Sequence, residues 1–224
     1  MTSKRLPGKV MLPILEDIPV IEYLLGNIDK SKYLSEIVIA TTVNGADDVL
    51  VDAADKHKAM HFRGYEDNVL KRVSDAHNIS GSDVAVLLTA DNPFVTSKLI
   101  DETIDFYFKS GSDFVSNSGP NRLYPDGVDV IVTNPKWLKW SLERADDQSH
   151  LEHVCSMIYG NDSISKSFLD PIQDCDCAPD ISVTVDTLVD YERAVLLAKA
   201  LPENYAIKDL IVAWNKLAET YAWK

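Results

Sequence analysis

Val84-Ala85-Val86-Leu87-Leu88-Thr89-Ala90-Asp91-Asn92-Pro93 is the stretch on which the fold turns. An apolar run without alternation predicts a strand buried on both faces, the pattern of parallel sheets covered by helices. Pro93 stops such a strand from continuing. In open α/β sheets ligands sit just beyond the carboxyl ends of the strands, where Asp91 falls. A carboxylate there suits a hard cation such as magnesium, which holds substrate phosphates through one or two carboxylates. The same aspartate equally suits a cap for a helix starting near Thr96, or an Asx turn.

Working outward, the periodicities alternate between strand and helix. Helices are expected over 20–28 (opened by Pro19), 47–58, from Asp67 or Asn68 to His77, and 97–110, ended by Gly111. Further helices are expected from Pro135, from His150, from Val189 to Leu201, and from about Ile207 onward. Strands are expected at 36–42, 59–64, 113–117 and 181–187. A Pro125-Asp126-Gly127 turn should lead into a half-exposed strand whose Val128, Val130 and Val132 alternate. Residues 161–180 read as irregular. No repeat, low-complexity tract or linker interrupts residues 1–224, so one domain is expected.

The composition is that of an ordinary soluble domain: 224 residues, 46% hydrophobic and 25% charged. A net charge of -13 argues against general nucleic-acid binding, because nothing would neutralise phosphates in bulk. Any anionic ligand must be held by a local cluster of Lys and Arg, or by a cation. No apolar run approaches the ~20 residues of a membrane span, and no apolar segment follows Met1-Thr2-Ser3-Lys4-Arg5 as in a secretory signal. Cys155, Cys175 and Cys177 are an odd set without zinc spacing, which fits free thiols and a cytoplasmic location. The four tryptophans, Trp137, Trp140, Trp214 and Trp223, sit at helical spacings and read as packing residues.

Two predicted strands finish in an aspartate: Leu88-Thr89-Ala90-Asp91 and Thr184-Val185-Asp186-Thr187. In one sheet, their carboxylates converge on one or two cations. The densest basic patch, Lys4, Arg5 and Lys9 around Leu6-Pro7-Gly8, suits a triphosphate, with Gly8 allowing close backbone approach. Cations and Lys/Arg around a triphosphate mean phosphoryl or nucleotidyl transfer, where positioning and charge neutralisation supply most of the rate.

Seven ordered segments then carry a resemblance. Arg5-Leu6-Pro7-Gly8-Lys9, Ile39-Ala40-Thr41-Thr42, Phe62-Arg63-Gly64-Tyr65-Glu66-Asp67-Asn68-Val69-Leu70 and Thr89-Ala90-Asp91-Asn92-Pro93 are the first four. Tyr124-Pro125-Asp126-Gly127-Val128-Asp129-Val130, Leu151-Glu152-His153-Val154 and Val183-Thr184-Val185-Asp186-Thr187 complete the set. Together they resemble the sugar-acid cytidylyltransferases, the family that activates acylneuraminate and 3-deoxy-manno-octulosonate, and in particular its SpsF-like spore-coat polysaccharide branch. The resemblance implies an α/β, Rossmann-like nucleotide-diphospho-sugar transferase fold, with a mixed, mostly parallel sheet and helices on both faces. It implies magnesium-dependent transfer of CMP from CTP to a sugar acid, for surface polysaccharide or glycoconjugate synthesis.

By the same resemblance, Arg5, Gly8 and Lys9 hold the CTP phosphates, and Asp91 and Asp186 bind magnesium. Glu66, Asp67 and Thr89 lie near the nucleotide. Tyr124, Asp126, Gly127, Asp129, Glu152 and His153 line the acceptor side, and a hairpin over about 122–133 makes a homodimer contact. The sequence also departs from the family pattern. It starts inside the linker that normally follows an apolar first strand, so Met1 is read as an internal methionine with the true start upstream. Ala90 stands where the family has glycine, and Leu151 where it has arginine, with His150 a candidate to compensate. Two other readings stay open: a non-catalytic nucleotide-binding or scaffold homologue, and a nucleotidyltransferase with another nucleotide or a non-sugar acceptor such as a phosphonate or polyol phosphate.

Overall fold

A computed structural model of the chain describes residues 5–171 and 177–223. The chain opens with a single 3-10 turn, Lys9–Met11, entered through Gly8 at φ 71°, a left-handed conformation that glycine adopts at no steric cost. A two-stranded antiparallel ribbon follows, β1 (Pro13–Leu15) and β2 (Ile18–Pro19), which the sequence reading missed. Next come α1 (Val20–Ile28), β3 (Val38–Thr42), α2 (Asp48–Lys56), β4 (Met60–Gly64), α3 (Val69–Ser80) and β5 (Ala85–Leu87). The rest is α4 (Ser97–Ser110), β6 (Phe114–Ser116), β7 (Ile131–Thr133), α5 (Pro135–Leu142), α6 (Gln148–Glu152), α7 (Ser156–Tyr159), β8 (Lys166–Phe168), α8 (Leu188–Ala200) and α9 (Ile207–Tyr221).

The helix ends are set by the expected chemistry. Asn68 caps α3 by accepting from the Lys71 N–H at 2.8 Å, Thr96 caps α4 by accepting from the Leu99 N–H at 3.2 Å, and Gly81 and Gly111 close them in the left-handed region. Asp91 is therefore not the cap of α4. Thr187 caps α8 in a reciprocal box with Asp190, which frees Asp186 from that duty as well.

The strands form separate sheets. β3 and β4 pair in parallel, with Ala40 opposite Phe62. The larger sheet has the order β5-β7-β6-β8, in which β7 runs antiparallel to both neighbours and β8 lies parallel to β6. The pairing is thus mixed, as expected, but its centre is antiparallel and a parallel majority is not found among the described residues. The unbroken apolar run has a different cause from strand direction: β5 stands between two apolar clusters. Val84, Val86 and Leu88 pack on the main core, with α1, α4, α8 and α9 residues such as Leu24, Ile100, Leu197 and Leu210. Leu87 packs on a second cluster of Phe114, Cys155, Ile158 and Ile164. Ala85 is buried outright, whereas the remainder of the run is half-buried, not sealed on both faces. Trp137 and Trp140 pack on the second cluster and Trp214 and Trp223 on the first, consistent with packing roles.

Three further expectations are corrected. Residues 161–180 contain β8, an edge strand of three residues too short and too polar to show a period. Residues 181–187 do not form a regular strand; Ser182 makes an isolated bridge to Asp126, and the segment is held by hydrogen bonds to loops. Residues 122–133 do not form a hairpin of their own. The hairpin here is β6–β7, whose connecting loop Asn117 closes by accepting from the Val130 N–H at 2.7 Å and donating to the Val128 carbonyl at 3.0 Å. Tyr124, Val128, Val130 and Val132 are buried within this chain, so their apolar surface is already covered. The Cys175-Asp-Cys177 pair falls partly outside the described residues, with Cys177 exposed; Cys155 is buried, and burial pushes its thiol up to about 12.

Gly127 fixes the spacing between the 122–129 loop and the segment leading to Asp186. It has φ 94°, and a Cβ there would lie 2.4 Å from the Thr184 nitrogen. Gly127→Ala should lower stability by about 1–3 kcal/mol through backbone strain and displacement of residues 183–184, read as a lower urea midpoint.

Candidate active site

The site is built where the turn after β5 meets the segment before α8. The Asn92 N–H bonds back to the Thr89 carbonyl at 3.2 Å, forming the turn that carries Asp91. Just beyond, Phe94 and Val95 are fully buried, with the Phe94 ring edge-on to Tyr23 and Tyr205. Asn27 adds a hydrogen bond to the Pro93 carbonyl at 3.0 Å and another to the Tyr205 hydroxyl at 2.9 Å. Burying a side chain such as Phe contributes about 1.5–3 kcal/mol, so the Asp91 turn is anchored from behind. The Val185 N–H then donates to the Asp91 carbonyl at 2.9 Å. That bond sets Asp186, the next residue, beside Asp91.

The basic loop reaches both. Lys9 Nζ donates to Asp91 Oδ2 at 2.7 Å and to Asp186 Oδ1 at 2.8 Å, while Arg5 Nη2 donates to the same Asp186 oxygen at 2.8 Å. Leu6, Val10 and Met11 pin the loop to the main core, and the Tyr191 hydroxyl on α8 holds its end through the Pro13 carbonyl at 2.6 Å. Partial burial by itself would depress the Lys9 ammonium, but the hydrogen bonds and charges of Asp186 and Asp91 outweigh it and hold Lys9 above its ordinary value. Burial likewise raises Asp186, and Lys9 and Arg5 more than offset this, leaving its carboxyl below the usual range. The Lys9 side chain is 12% exposed against 65% for Arg5, so the lysine is the interior partner.

Arg5, Lys9, Asp91 and Asp186 are thus brought together, and Gly8 turns the loop between the two cations. Thr89 is exposed on the turn before Asp91. The other candidates are placed differently. Glu66 and Asp67 are exposed after β4; the Asp67 carbonyl accepts from Gln148 Nε2 on α6 at 2.7 Å. Glu152 and His153, at the end of that helix, are exposed too, so His153 is not a core histidine. Among the described residues no hydrogen bond or ion pair joins these four to the cluster. His150 is engaged by Asp146 at 2.8 Å. Asp129 is bound by both ends of the Arg122 guanidinium at 2.6 and 3.1 Å, and Asp126 lies 3.3 Å from the same group and accepts from the Ser182 hydroxyl at 3.0 Å. These acids brace the loop against the 181–183 segment, and buried Tyr124 packs in the main core. Arg122 and Tyr191 were assigned no role from the sequence; the spacing of Arg122 to Asp126 was the one local signal, and Tyr191 had none.

Two carboxylates that converge on one cationic centre, from segments far apart in sequence, form a donor set of hard oxygens that fits a divalent ion. Comparison with known proteins identifies the class. Residues 1–157 match the cytidylyltransferase family model. The chain belongs to that family, and it has the Rossmann-like nucleotide-diphospho-sugar transferase fold. It is 33% identical to the uncharacterized protein MJ1063 of Methanocaldococcus jannaschii, over 88% of this chain and 79% of that protein. It is 29% identical to the spore coat polysaccharide biosynthesis protein SpsF of Bacillus subtilis, over 96% of this chain and 91% of the relative. The structure of a cytidylyltransferase from Leptospira borgpetersenii superposes with a TM-score of 0.89 at 26% identity, over 98% of this chain and 92% of the other. Family membership supports nucleotidyltransferase activity with transfer of CMP. No helix among the described residues is long and apolar enough to cross a membrane.

Lys9→Met removes the shared cation and leaves two carboxylates facing each other. It should cost about 1–3 kcal/mol at pH 7 by urea unfolding. Because Asp186 is depressed in the folded state, this contribution is present above its unfolded value of about 3.9 and is lost as pH falls through the lower folded value. The gap between wild type and Lys9→Met should therefore narrow as pH approaches 3.

Proposed function

We propose that this chain, as a single catalytic domain, transfers CMP from CTP to a sugar acid in a magnesium-dependent reaction in the cytoplasm. The observation that carries the reading is the Lys9 ammonium held between Asp91 and Asp186, with Arg5 on the same oxygen. Asp91 and Asp186 would hold the metal, which when bound neutralises the oxygens that gain charge at the α-phosphorus. Arg5 and Lys9 grip the β- and γ-phosphates and stabilise the departing pyrophosphate. An acceptor hydroxyl oxygen attacks the α-phosphorus in line and gives up its proton to solvent; its bond to phosphorus forms as the bond to the β-phosphate oxygen breaks, and pyrophosphate leaves with that electron pair. Gly8, in the left-handed region, keeps side-chain bulk off the phosphates. The helix α8 begins two residues after Asp186, past its cap Thr187, and its N-terminal dipole adds positive potential on the phosphate side.

The acceptor is assigned by class. The similarity to a spore coat polysaccharide biosynthesis protein supports an activated sugar for surface polysaccharide or glycoconjugate synthesis, and the resemblance of the motifs supports a sugar acid. Glu66 and Asp67 border the nucleotide side, and Glu152 and His153, exposed and without an ion pair among the described residues, are the acceptor-side candidates that a ligand can still reach. A homodimer belongs to the same reading, with the exposed surface of residues around 122–133, not the buried valines, as its contact.

Asp91→Asn and Asp186→Asn keep the shape and remove the charge; each should lower turnover by about 100-fold or more with an unchanged circular dichroism spectrum. Near-wild-type rates in either variant would remove that residue from the site. A panel of nucleoside triphosphates read by pyrophosphate release should show CTP turned over fastest; UTP or GTP outrunning it would overturn the base assignment.

A further inference from the structure

Lys9 has two tasks in this site that exclude each other. Its ammonium lies within 2.7 Å of one carboxylate oxygen and 2.8 Å of the other, so it fills the space between them. A divalent cation bound to the same oxygens, at about 2.0–2.1 Å for magnesium, needs that space. The displaced ammonium must then find new acceptors, because the side chain is 12% exposed and Asp91 and Asp186 are its hydrogen-bond partners among the described residues. Arg5 has the same difficulty at Asp186, although it is largely in water. Without nucleotide, the two cations and two carboxylates are already in charge balance, and a metal ion alone adds uncompensated positive charge to a partly buried site. A triphosphate changes this: it offers Lys9 and Arg5 anionic oxygens and leaves the carboxylates bare for the metal.

We infer that Lys9 is an intramolecular stand-in for the metal ion and makes metal binding conditional on the triphosphate. The inference rests on reading Asp91 and Asp186 as the metal carboxylates. Lys9 is then a gate as well as a phosphate ligand. It keeps the site closed to free divalent ions and opens it when the nucleotide draws the side chain away. Linkage requires the effect to be reciprocal: the metal tightens the nucleotide by the same factor.

The test uses manganese alone and no nucleotide. Free Mn2+ is followed by electron paramagnetic resonance as it is titrated into wild type, Lys9→Met, Lys9→Gln, Asp186→Asn and the Lys9→Met/Asp186→Asn double variant. Lys9→Met should bind Mn2+ at least about fivefold more tightly than wild type, the lower edge of ordinary coupling factors. Mn2+ should also raise the melting temperature of Lys9→Met more than that of wild type, since it relieves the carboxylate repulsion. Adding Asp186→Asn should abolish both gains. Lys9→Gln, which is one atom shorter but keeps polarity without charge, should bind Mn2+ more tightly than wild type too, and it serves if the methionine variant does not fold. Equal or weaker Mn2+ binding in both Lys9 variants, with wild-type binding still lost in Asp186→Asn, would overturn the gate and leave the metal site standing. Binding indifferent to Asp186→Asn in every background would instead remove the metal from these carboxylates, and the gate with it.

Discussion

The hydrogen bond from the Val185 N–H to the Asp91 carbonyl, 2.9 Å long, is the constraint on which this site depends. It is a backbone bond between residues ninety-four apart, so among substitutions only Val185→Pro removes its donor directly. It brings two acidic side chains close enough to share one ammonium, and like charges at that spacing need the ammonium to remain there. Each flank of the bond is anchored. On one side, buried Phe94 and Val95 hold the Asp91 turn against α1 and Tyr205. On the other, Gly127 approaches the Thr184 backbone so closely that only a hydrogen fits, and the Asp126 N–H and carbonyl bond to Ile181 and Val183.

The remaining charges follow a consistent logic. Several acids that position backbone are held by other groups of the chain. Asp129 and Asp126 are bound by Arg122, and Asp47, 2% exposed, accepts from Thr41, from Thr42 and from the Thr42 N–H at the end of β3. Arg63, in a segment that resembles a family motif, and Arg72, two residues beyond that segment, likewise serve carbonyls of their own neighbourhood, at Thr42, Asn44, Ala40 and Tyr65. A family motif is therefore a mixture of groups that touch ligand and groups that hold the loop which does.

The reading of Glu66, Asp67, Glu152 and His153 shows the difference between a motif and a site. They were assigned to two separate ligands, yet α6 carries one pair against the loop of the other through the Gln148–Asp67 bond. All four are exposed, and among the described residues no hydrogen bond or ion pair joins them to the Lys9 cluster.

Local chemistry was legible in the sequence because it is a matter of nearest neighbours. Most helices, the β5 apolar run ending in a carboxylate and the basic loop around Gly8 all follow from residues within one or two turns of each other. The resemblance extended this to the class of reaction and to the four charged residues that meet. The tertiary structure decided what depends on partners distant in the chain. It set the direction of β7 between β5 and β6, which pairing chooses and composition does not. It placed an ammonium, and not open solvent, between Asp91 and Asp186. It also assigned Asp126 and Asp129 to Arg122, because a carboxylate's role is fixed by the nearest cation in space, and no spacing along the sequence records that distance.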